Sequence, residues 1–124
     1  MVLKYPVGKK AVSQLFGEDS KNHPKLYGFY TLFDGKHPGV DFSIPEGSPV
    51  KAAFDGIVVR KEFHKGMGNV IGIRNGNICI LYAHLSKFSL NLGQKVKQGQ
   101  LVGFSGNTGQ ASTEPHLHFE IRDL

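Results

Sequence analysis

Two histidines one residue apart, His116 and His118, stand near one end of the chain; His37 and Asp41 lie far upstream in His37-Pro38-Gly39-Val40-Asp41. Side chains alternate faces in an extended strand, so His116 and His118 project to one side with Leu117 on the other. The neighbours extend this pattern: Leu117, Phe119 and Ile121 form an apolar row, and His116, His118 and Glu120 form the opposite one. Two imidazoles on one face, with a distant histidine and aspartate, are the ingredients of a zinc site. They point to metal-assisted hydrolysis.

A catalytic zinc takes three protein ligands and keeps a fourth place for water. His37, Asp41 and His118 would supply two neutral imidazoles and one carboxylate, leaving a site of net charge about +1 that lowers the pKa of bound water toward about 7. His37 and Asp41 are four residues apart, but Pro38-Gly39 between them argues against a helix. Val40 to Ile44 reads as a strand, with Asp41 and Ser43 opposite Val40, Phe42 and Ile44. A turn presenting His37 and a strand start presenting Asp41 can still converge on one metal. In Leu81-Tyr82-Ala83-His84-Leu85-Ser86, alternation groups His84 with Tyr82, away from Leu81, Ala83 and Leu85, and so predicts a groove-side histidine. His23 and His64 belong to no such pattern and are expected at the surface. Glu114 is read as loop because Pro115 interrupts the alternation before His116.

The elements that must hold these residues read as strands. Val50 to Ala53 runs into Asp55-Gly56, a hairpin-type pair, and then Ile57 to Phe63. Asn69 to Arg74 leads through Asn75-Gly76 into a strand over Asn77 to Leu85. Val96 to Phe104 reads as two short strands about a tight turn, Gly106 to Gly109 as a turn near the groove, and His116 to Ile121 as the last strand. Apolar residues nowhere recur at helical spacing for three turns. The prediction is a mainly antiparallel β fold, a sandwich or open barrel with little helix and a groove walled by loops. Residues 1–34 are less regular and aromatic-rich, and are expected to wrap the sheet as loops and a short strand.

At 124 residues the chain fits one domain. Its six prolines and sixteen glycines agree with many turns between short strands. Cys79, the single cysteine, excludes an internal disulfide or thiolate cluster, and its apolar setting suits a small core residue. The net charge of +5 favours anionic partners. The lysines are dispersed and no RNA-binding motif appears, so no nucleic-acid partner is expected; an anionic cell wall would fit the charge equally well, and the charge alone does not name the partner. No apolar run is long enough to span a membrane, so no membrane insertion is expected. Met1 to Leu15 lacks the apolar stretch of a secretory signal, which suggests a trimmed domain, another export route or a phage-borne protein.

The motifs together resemble the lysostaphin/LytM-type zinc endopeptidases of bacterial cell walls. The matching stretches are Gly35 to Phe42, Pro45 to Ala52, Asp55 to Val58, Gly68 to Ile71, Tyr82 to Leu85, Gly93 to Gln100, Gly103 to Gly109 and His116 to Glu120. They run in family order over residues 35–121. The resemblance implies that His37, Asp41 and His118 bind Zn2+ and that His84 and His116 are catalytic rather than ligating. It implies a β-sheet groove and a peptidoglycan peptide as substrate. An extracellular, periplasmic or wall-associated location and action as a monomer are expected. One imidazole would take a proton from water, and the oxyanion would be stabilised by the metal with the other imidazole or a tyrosine hydroxyl. Tyr27 and Tyr30 are candidates for that hydroxyl, though packing is the simpler role for each. Two alternatives remain: a catalytically silent wall-binding or activator module of the same fold, and a histidine phosphocarrier. The filled ligand positions disfavour both.

Overall fold

The computed structural model describes residues 4, 6, 7, 12–14, 39–109, 112 and 114–123. His23, Tyr27, Tyr30 and His37 lie outside the described residues, as does most of the N-terminal stretch expected to wrap the sheet. Nine strands form among the described residues: β1 (Val12–Gln14), β2 (Gly39–Phe42), β3 (Pro49–Lys51), β4 (Gly56–His64), β5 (Gly68–Asn75), β6 (Ile78–Phe88), β7 (Lys95–Val96), β8 (Leu101–Ser105) and β9 (Leu117–Asp123). Among the described residues every regular element is a strand and every named pairing is antiparallel. This agrees with the fold class read from the alternation.

The main sheet runs β1-β2-β9-β6-β5-β4-β7, and β8 joins β3 to the far end of β6. Strand β6 connects the two parts. Its residues Ile78 to Ala83 pair with β9 and its residues Leu85 to Phe88 with β8. One apolar cluster fills the space between: Val50 of β3 and Val102 of β8 pack with Phe42, Ile71, Ile80, Tyr82, Phe119 and Ile121 of the main sheet. Phe119 meets Phe42 edge-on at 6.0 Å and Tyr82 at 5.4 Å, which ties β9 to both of its neighbours. The opposite face of the sheet carries a smaller cluster of Val70, Cys79, Leu81 and Ala83, with Met67 against it. Cys79 is buried there as expected, and burial pushes its thiol pKa up, which keeps it protonated and inert.

Three local expectations change. Asp55-Gly56 does not close a hairpin, because β3 pairs with β8 and β4 with β5. Gly56 is instead a point of close approach: a Cβ there would lie 2.6 Å from the Arg74 carbonyl oxygen. Asp55 anchors neighbouring chain, its Oδ1 accepting from the Gln98 amide at 2.7 Å. The β5–β6 hairpin forms, but Asn75 pairs with Ile78, so Gly76 and Asn77 make the turn. Gly76 has φ +61°, and it occupies the first central position, where a II′ turn calls for glycine. Third, the alternation through residues 81–85 breaks. Tyr82 is fully buried in the main core and accepts a hydrogen bond from the Ala53 amide at 3.0 Å, so it shares no groove face with His84.

Candidate active site

The polar row of β9 lies between β2 and β6. Asp41 is the direct register partner of His118 on one side, and Ala83 on the other. The apolar row Leu117, Phe119 and Ile121 is fully buried, so packing on one face fixes where the other face presents its imidazole. Asp41 follows the same logic on β2: Phe42 and Ile44 are buried while Asp41 and Ser43 are exposed.

Both ring nitrogens of His118 meet carboxylates. Nδ1 donates to Asp41 Oδ1 at 2.9 Å and Nε2 donates to Glu120 Oε1 at 3.0 Å. Glu120 is also paired with Arg122. Burial pulls the His118 pKa down, but the hydrogen bonds and charges of Asp41 and Glu120 outweigh it and push it up to about 9. The same contacts lower the carboxylates. The His118 hydrogen bond holds Asp41 below the usual carboxylate range and, with Arg122, takes Glu120 down to about 2. A pocket that favours a cation this strongly, with an imidazole nitrogen and a carboxylate oxygen converging on one point, has the donor chemistry of a borderline divalent metal site. Glu120 was not singled out by the sequence argument. The signal was present, since it lies two residues from His118 on the same strand face.

Among the described residues, no group of three or more His, Cys, Asp or Glu side chains is placed to hold a metal ion. Asp41 and His118 provide two donors, and the third expected ligand, His37, lies outside the described residues.

His84 and His116 complete the cluster. Their ring centroids are 4.6 Å apart, and His84 is 6.1 Å from His118. His116 Nε2 lies 3.7 Å from Asp41 Oδ1. Each ring places its Nδ1 against a backbone carbonyl, Thr108 O at 2.6 Å for His84 and Glu114 O at 2.9 Å for His116. A carbonyl only accepts, so each neutral ring carries its proton on Nδ1 and its lone pair on Nε2. Glu114 thus contributes through its main chain rather than its carboxylate.

His84 reaches the cluster by leaving regular strand geometry. It has φ +61°, the only non-glycine residue with positive φ among those described, and it is 4% exposed. A side chain held in that region costs on the order of 1–3 kcal/mol and persists where surrounding contacts impose it. Here the His84 amide donates to Met67 O at 2.8 Å. Burial lowers the His84 pKa, which keeps the ring neutral near pH 7. The sequence grouped His84 with Tyr82 by alternation; the structure separates the two, and this backbone inversion accompanies a His84 ring lying beside His116. His64 stays outside the cluster, at an exposed hairpin tip, where its Nδ1 accepts from the Gly66 and Met67 amides.

Comparison with known proteins agrees with this fold. The model of peptidase family M23 matches residues 35–124. The peptidoglycan DD-endopeptidase ShyA of Vibrio cholerae is 42% identical over 120 residues, covering 95% of this chain and 26% of that protein. Among solved structures, the catalytic domain of the antimicrobial peptidase lysostaphin from Staphylococcus simulans superposes with a TM-score of 0.65 at 44% identity, covering 72% of this chain and 69% of that one. A zinc-containing peptidase from Vibrio cholerae superposes with a TM-score of 0.76 at 34% identity, over 100% of this chain and 39% of that one. The chain spans between 20% and 30% of the length of the curated relatives it matches. With the matched region covering the whole imidazole cluster and its strands, the chain belongs to peptidase family M23.

Proposed function

We propose that this chain is a zinc-dependent endopeptidase that hydrolyses peptide bonds in the stem peptides or cross-bridges of peptidoglycan. It works as a single monomeric domain spanning residues 1–124, outside the cytoplasm or at the cell wall. The observation that carries this reading is the convergence of Asp41, His118, His116 and His84 at one place on the sheet, within the region matched by the peptidase family. The net charge of +5 suits an anionic wall, and no helix among the described residues is long and apolar enough to cross a membrane.

His37, Asp41 and His118 are the proposed zinc ligands, two imidazoles and one carboxylate. Zinc held there supplies Lewis acidity toward the scissile carbonyl and lowers the pKa of a bound water to near 7. Asp41 Oδ1 and His118 Nδ1 already converge, and Glu120 orients the His118 ring from its other nitrogen, as carboxylates do behind metal-binding histidines. His84 and His116 are the proposed catalytic residues. Each holds its Nδ1 against a carbonyl, which in the neutral ring leaves the lone pair on Nε2, so either could take the proton of the attacking water. The water oxygen forms a bond to the carbonyl carbon, and the resulting imidazolium returns its proton to the amide nitrogen as the C–N bond breaks. The second water proton passes from the new carboxylic acid to the amine, giving a carboxylate and an ammonium group.

Metal analysis of the purified protein, with release of new amino groups from purified cell walls, tests the proposal. About one zinc per chain is expected, lost together with wall cleavage in His118→Ala. Wild-type protein that takes up no zinc on reconstitution would overturn it.

A further inference from the structure

The turn Gly106–Gly109 contributes no group to the chemistry above, yet it anchors the His84 ring. We infer that Thr108 is a positioning residue, clamping His84 in the tautomer whose Nε2 carries the lone pair. This inference rests on the proposed catalytic role of His84.

Thr108 grips the His84 segment at two points. Its carbonyl accepts the ring Nδ1 proton at 2.6 Å, and its hydroxyl donates to the carbonyl of the next residue, Leu85, at 2.8 Å. The same hydroxyl accepts from the Asn69 amide at 3.1 Å, so its donor and one acceptor site are both engaged. One residue therefore holds a ring and the backbone immediately after it, which sets the ring's angle relative to its own strand.

The support beneath Thr108 is equally tight. A Cβ on Gly68 would lie 2.3 Å from Thr108 Oγ1 and 2.4 Å from its carbonyl oxygen. A Cβ on Gly109 would lie 2.3 Å from the Gly68 nitrogen and 2.5 Å from the Gly66 carbonyl oxygen. Both glycines have left-handed φ, +67° and +93°. The β4–β5 hairpin tip thus sits directly on the Thr108–Gly109 peptide. That tip also supplies Met67 O, the acceptor for the His84 amide. Ring and backbone of His84 are held by two segments that are packed against each other, which leaves the imidazole little freedom to rotate and exchange its nitrogens.

The test uses two variants and one spectroscopic signature. Thr108→Val keeps the side chain's shape and removes both hydroxyl hydrogen bonds; Thr108→Ser keeps both bonds and removes a methyl. In 15N-histidine-labelled protein, long-range 1H–15N spectra distinguish a protonated Nδ1 from a protonated Nε2, and His84→Gln identifies the His84 signals. Wild type and Thr108→Ser are expected to show the Nδ1–H form alone, and Thr108→Val a mixture of both forms. On a wall peptide, kcat of Thr108→Val is expected to fall about 10- to 100-fold, with KM little changed and most of the loss recovered in Thr108→Ser. A wild-type His84 protonated on Nε2 would overturn the clamp, and that result needs no variant to fold. A Thr108→Val protein with wild-type His84 signals would overturn it too, whatever its activity. If wild type cleaves no wall peptide, the proposed function fails, while the nitrogen spectra still decide the clamp.

Discussion

His118 and His84 lie 6.1 Å apart, ring to ring, and place the same side chain in opposite electrostatic settings. His118 sits between two carboxylates, where a positive charge is favoured and its pKa rises to about 9. His84 sits under the Thr108 carbonyl with its strand backbone inverted, and burial moves its pKa down. The difference teaches that neighbours, not residue type, divide the labour. Anionic surroundings make a place for a cation; a neutral, buried setting makes a base with a free lone pair.

Single substitutions at the two rings should separate these roles with the largest effects. His118→Ala should lose zinc and wall cleavage together. His84→Ala should retain about one zinc per chain while cleavage falls about 10²- to 10⁴-fold, the usual range for a general acid–base group. Metal content and amino-group release on the same preparations check this. If His84→Ala also loses its zinc, the division of roles breaks.

A smaller effect should follow from Glu120→Gln. The amide still approaches His118 Nε2 but carries no charge, so zinc affinity should weaken about tenfold, measured by competition with a chromophoric chelator. His84, which has no contact with Glu120, should keep its nitrogen signals. A Glu120→Gln protein with unchanged zinc affinity would show that Asp41 alone sets the charge of the site.

The smallest effect concerns pH. In chelator-stripped protein, His118 has a folded pKa of about 9, above the ordinary 6.5. Its contribution to stability is complete below about 6.5 and is lost as pH rises through about 9. Glu120 has a folded pKa of about 2, below the ordinary 4.5, so its contribution is complete above about 4.5 and is lost as pH falls toward 2. Melting temperature of the stripped protein should therefore be highest between about pH 4.5 and 6.5 and fall on both sides. Zinc should remove the alkaline fall, because the metal then occupies the place of the His118 proton, and binding that releases protons strengthens as pH rises. His84 adds no stability of the His118 kind, since burial lowers its pKa.

How much of this was legible in the sequence follows from the range of each interaction. The β9 row was readable because alternation is local: once Leu117, Phe119 and Ile121 are apolar, His118 and Glu120 must face the other way. Asp41 on β2 was readable for the same reason. The position of His84 was not readable, since nothing in residues 81–85 announces a left-handed residue; contacts from Met67 and Thr108 impose it. Asp55-Gly56 looked like a hairpin because turn chemistry is also local, but β8 takes β3 as its partner instead. The Gly106–Gly109 turn was foreseen near the groove, without its grip on an imidazole 24 residues earlier.

The sequence by itself determined the mainly antiparallel β architecture, the apolar rows that face the core and the set of histidines and acids available for chemistry. Those follow from side-chain alternation, turn residues and composition, which act over a few positions. Only the tertiary structure decided which imidazole meets carboxylates and which meets a carbonyl, and hence which ring sits among negative charges and which keeps its Nε2 lone pair unengaged by a carboxylate. Those choices depend on contacts between residues as far apart as Asp41 and His118, where position in space, rather than position along the chain, sets the electrostatics.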